Sequence, residues 1–65
     1  MSDAERLAQF EGLLADWVAE RDSVEATLAD LRAQNKVKTA TYQQLTARKL
    51  ALQSILGQCE ERGLL

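Results

Sequence analysis

Histidine and proline are missing from this chain, cysteine occurs once, glycine three times, and the aromatics are one Phe, one Trp and one Tyr. Each shortage excludes something. A lone Cys59 rules out a disulfide within the chain, and one thiol without any imidazole cannot furnish the four ligands of a structural zinc site. Without histidine there is no imidazole base to activate a serine or the thiol, and no glycine-rich stretch is present to cradle a phosphate. Paired acids such as Asp16/Glu20 and Glu60/Glu61 fall where a solvated helix face is expected, and a unit this small has no deep pocket to shift their titration. The expectation is therefore no catalytic residue, no cofactor, no metal and no enzyme activity. No run of 18 apolar residues occurs, so no membrane span is expected. The opening Met1-Ser2-Asp3-Ala4-Glu5 is acidic and unlike an export signal. With one unpaired thiol, a reducing cytoplasmic location follows as the expectation.

What remains is helix-forming. Ala, Leu, Gln, Glu and Arg are abundant, and no proline interrupts them. From Leu7, steps of alternately three and four residues reach Phe10, Leu14, Trp17, Arg21, Val24, Leu28, Leu31 and Asn35; seven of these nine positions are apolar. That 3.5-residue period marks a helix that winds around a partner. Glu11, Asp16, Glu20, Asp22, Glu25 and Asp30 all lie off this seam, while Leu13 and Val18 widen it.

Boundaries are legible at both ends. Ser2 with Glu5 is a capping-box pattern, and Asp3 sits beside the positive helix end. The first helix is expected over about 3–34. The seam fails across Gln34-Asn35-Lys36-Val37-Lys38-Thr39-Ala40-Thr41, where Asn35 suits a left-handed cap. A turn over about 35–40 follows, with Thr41 and Gln44 read as a second capping box and Ala40 and Leu45 as its staple. The second helix is expected over about 41–62, with a stripe of Tyr42, Leu45, Leu52, Ile55, Leu56 and Cys59 broken by Arg48 and Lys49. Leu50 points away from that stripe. Gly63 stops the helix, leaving Leu64 and Leu65 as a short apolar tail. The competing reading is one uninterrupted helix through the whole chain.

The expected fold is all-α: one domain over 1–65, an antiparallel two-helix hairpin that dimerises into a four-helix bundle or coiled-coil assembly. Two reasons require the second copy. A helix of about 32 residues outruns one of about 21, so Leu7, Phe10 and Leu13 overhang. Two helices also make a single contact line, too little to enclose Trp17, Phe10 and the leucines. The expected self-association surface is Leu7, Phe10, Leu13, Leu14, Trp17, Val24, Leu28, Leu31, Leu52, Ile55 and Leu56. Partners are then a second copy, a dimer being favoured, or another protein's helix; a membrane partner is not expected.

Charge suggests an alternative. The net charge is −2, but residues 1–31 hold eight acids against Arg6 and Arg21, whereas residues 32–49 hold Arg32, Lys36, Lys38, Arg48 and Lys49 without one acid. Such a cluster could serve as an anion or nucleic-acid patch at the turn and the start of the second helix. The structural alternative is neutralisation: folding back brings Arg48 and Lys49 within reach of Glu25 or Asp30, where ion pairs help fix register. No aromatic except Tyr42 accompanies these bases, so a stacking platform for single strands is not supported. Arg21, on the seam, either sets register or lays its stem along the apolar face with its head toward Glu25 or solvent. Cys59 reads as a small buried hydrophobe. Gly12, off the seam, reads as a surface fault rather than a close approach.

One local likeness ends early. Tyr42-Gln43-Gln44-Leu45-Thr46-Ala47-Arg48, together with Ile55-Leu56-Gly57-Gln58-Cys59-Glu60-Glu61-Arg62-Gly63-Leu64-Leu65, resembles parts of a winged helix-turn-helix DNA-binding domain. The likeness needs a turn between the two segments, and Lys49 to Gln53 holds neither its Gly nor its capping Ser or Thr, so no function is carried over.

Overall fold

The computed structural model describes residues 2–65. It contains two helices that pack against each other: α1, Asp3–Ala33, and α2, Ala40–Glu61. At 31 and 22 residues they span about 46 and 33 Å. The Cα atoms extend over 48 × 20 × 16 Å, so α1 alone accounts for the long dimension.

Local chemistry sets each end. Ser2 Oγ accepts from the Glu5 amide at 3.1 Å and donates to Glu5 Oε1 at 3.1 Å, which satisfies one of the donors a helix start leaves free. At the other end of α1, Asn35 takes a φ of 58°. The amide of Lys36 bonds the Leu31 carbonyl at 2.9 Å and that of Asn35 bonds Arg32 at 3.0 Å. This is a Schellman stop with Asn in the position that glycine usually holds. α2 ends by the same device: Gly63 has φ 72°, Leu64 bonds Cys59 and Gly63 bonds Glu60.

The connection, Gln34 to Thr39, differs from expectation in its last residues. The cap of α2 is Thr39, not Thr41: Thr39 Oγ1 accepts from the Tyr42 amide at 3.2 Å and donates to the Lys36 carbonyl at 3.0 Å. Because Thr39 Oγ1 can also tie down the turn's own carbonyl, the helix starts at Ala40 and absorbs Thr41. The reversal rules out one continuous helix. α2 also runs unbroken through Lys49 to Gln53, so the turn of a winged helix-turn-helix is absent.

The core lies between the helices. Val24, Leu28 and fully buried Leu52 form one cluster, with Trp17, Tyr42 and Leu45 packed against it. Leu14 and Leu56 are buried as well. Burying a leucine this completely is worth about 1.5–3 kcal/mol. From Ser2 to Leu13 every residue is exposed, and so is every residue from Arg32 to Thr41. The covered interior is therefore short.

Candidate self-association surface

The eleven residues expected at a self-association surface divide into three groups. Leu14, Val24, Leu28, Leu52 and Leu56 are covered within the hairpin itself. Trp17, Leu31 and Ile55 are half-buried. Leu7, Phe10 and Leu13 are 58%, 37% and 44% exposed. α1 has nine residues more than α2, about 13 Å of helix, which leaves Leu7 beyond the covered interior; Phe10 borders a groove with Ile55 and Cys59, and Leu13 flanks the seam beside buried Leu14.

Two further side chains join this end, and sequence reasoning left them as a bare tail. The turn at Gly63 brings Leu64 and Leu65 beside α1, where they border a shallow groove with Leu14, Ala15, Val18 and Ala19. On the other flank Leu64 borders a second groove with Phe10, Trp17, Ile55 and Cys59. Both leucines stay about half exposed. The legible signal was an apolar residue directly after a glycine stop, which commonly packs back on the last turn. Cys59, expected buried, is half-buried and free. Val37 at the turn is 39% exposed, and Leu50 on the far side of α2 is 60% exposed.

The ion pairs correct the expected register. Arg48 binds Glu20 through two hydrogen bonds, Nε to Oε1 at 2.7 Å and Nη2 to Oε2 at 2.8 Å, rather than reaching Glu25 or Asp30. The bond from the guanidinium holds the Glu20 carboxyl below its usual value of 4.5; desolvation opposes this, and the nearby positive charge adds to it. Arg48 is shifted up by the same hydrogen bond. Glu20 follows Trp17 by three residues and Arg48 precedes Ile55 by seven, so the pair lies on the flank of Trp17 and Ile55. Both side chains remain substantially exposed, so the pair contributes alignment more than stability. Arg21 is half-buried, and its guanidinium contacts exposed Asp22 at 3.3 Å rather than Glu25, with its head toward solvent.

This geometry divides the expected basic patch. Arg48 is engaged with Glu20, and Lys49 is half-buried beside the seam. Arg32, Lys36 and Lys38 are exposed at the closed end of the hairpin, with no ion-pair partner among the described residues.

Among the described residues no group of three His, Cys, Asp or Glu side chains could hold a metal ion, and no helix is long and apolar enough to cross a membrane. Comparison of the chain with protein-family models, characterised proteins and solved structures returns no match.

Proposed function

We infer that this chain is a helical-hairpin interaction module that works by self-association, in a regulatory or adaptor role. One observation carries the reading: among the described residues seven large apolar side chains are exposed while five are buried. Five of the seven gather at the open end of the hairpin. Leu7, Phe10 and Leu13 prolong the α1 stripe, and Leu64 and Leu65 lie against the same helix. Exposed apolar side chains gathered at one end of a hairpin support an association site there.

Surface area supports it. The hairpin exposes 4814 Å², whereas a compact monomer of 7.2 kDa is expected to expose about 4100 Å². The excess of about 700 Å² approaches the roughly 800 Å² that each partner contributes to a standard interface. Association then supplies what a single short contact line between two helices does not. Sedimentation at micromolar and submicromolar concentration tests this: self-association gives a mass that rises with concentration above that of one chain. A Phe10→Ala variant should shift that rise to higher concentration while keeping its helix content. A single-chain mass throughout refutes the reading.

A second reading, a small nucleic-acid-binding regulator, is favoured by the exposed Arg32, Lys36 and Lys38, which have no ion-pair partner among the described residues. It predicts binding to duplex DNA or RNA that weakens steeply with salt and is lost when these three are replaced. No binding at low salt removes it.

A further inference from the structure

We propose that the exposed stripe is occupied by a second copy of this chain lying antiparallel, so that the closed end of each hairpin covers the overhanging end of the other. The proposal rests on the self-association reading and adds the orientation of the partner. Two independent features set that orientation.

The first is shape. The open end of α1 leaves its seam residue Leu7 58% exposed, and Phe10, which borders a groove with Ile55 and Cys59 of α2, is still 37% exposed. In a parallel pair, with both turns at one end, the two overhangs meet only each other, as two bare helices along one line. In an antiparallel pair each overhang meets the other copy's closed end, where both helices and the turn converge. Apolar surface is available there: Val37 is 39% exposed, and Leu31 and Tyr42 are half-buried.

The second is charge. The closed end holds Arg32, Lys36 and Lys38 against Asp30, a balance of +2. The open end holds Asp3, Glu5, Glu11, Glu60 and Glu61 against Arg6 and Arg62, a balance of −3. Antiparallel packing sets opposite balances together at both ends; parallel packing sets like against like at both. Complementarity of this kind chooses between orientations of the same apolar contact. The three basic residues at the turn then face the partner's acidic overhang.

The test is an inter-label distance. In a Cys59→Ala background, Ala40→Cys is spin-labelled; the position is exposed at the closed end and carries no charge, and far-UV circular dichroism verifies helix content. Sedimentation first establishes the mass under the same conditions. The antiparallel pair predicts a label-to-label distance close to the 48 Å length of the hairpin. A second label at exposed Ala4, as Ala4→Cys, predicts a similarly long distance from the other end. Distances of about two helix diameters, roughly 20 Å, at both positions overturn the orientation and leave self-association standing. A single-chain mass at every concentration overturns both.

Discussion

Replacing Leu52 by alanine should nearly abolish the fold, while the same replacement at Leu50, two residues away on the same helix, should hardly register. Leu52 is completely buried between Val24 and Leu28, whereas Leu50 is 60% exposed. Truncating a buried leucine removes its transfer energy and leaves a cavity, together about 2–5 kcal/mol. A single small core seldom supplies more than about 3–5 kcal/mol, so Leu52→Ala removes most of what is available. Leu50→Ala stays within about 0.5 kcal/mol, and alanine's helix propensity favours the gain side. Urea unfolding followed by helical circular dichroism measures both. With a slope near 1 kcal/mol/M, a loss of about 3 kcal/mol lowers the midpoint by about 3 M. Runs at several protein concentrations separate the hairpin's own stability from that of an assembly. Equal shifts for the two variants, or an unmoved midpoint for Leu52→Ala, would refute the seam described for α2.

Three further outcomes follow from named contacts. Thr39→Ala should lower stability by about 1 kcal/mol through loss of the cap on the Tyr42 amide, whereas Thr41→Ala should be neutral or slightly favourable; thermal melts decide. Gly12→Ala should gain about 1 kcal/mol because an added methyl meets open space, while Gly63→Ala should lose about 1 kcal/mol because its φ is 72°. The Glu20–Arg48 pair predicts an acid effect. Because Glu20 titrates below 4.5 when folded, its contribution is present above 4.5 and disappears as the pH falls through the lower, folded value. Glu20→Gln should therefore flatten the fall of stability in that acid window, and an unchanged profile would mean the pair does not hold in solution.

Most of the fold could be read from the sequence because its determinants are local. Ser2 and Glu5 lie three residues apart, Asn35 ends a seam counted from Leu7, and Gly63 follows the last apolar residue of its stripe. The choice between Thr39 and Thr41 was not readable: both offer a hydroxyl three residues before a free amide, and only the bond from Thr39 to the Lys36 carbonyl separates them. The Glu20–Arg48 pair joins residues 28 apart, so its register depends on how two long side chains lean across a seam that the turn only approximately sets. The candidate surface was legible in part. Exposure of Leu7 follows from helix lengths and that of Leu13 from its place off the seam, but the groove that Leu64 and Leu65 border with Val18 required the direction of the chain after Gly63.

A lone hairpin leaves Leu7, Leu13, Leu64 and Leu65 in water, and self-association would cover them. Sedimentation equilibrium across the submicromolar to high micromolar range decides whether it does. The mass should climb toward twice the 7.2 kDa of the chain; a mass fixed at 7.2 kDa, with cooperative unfolding independent of concentration, would overturn self-association.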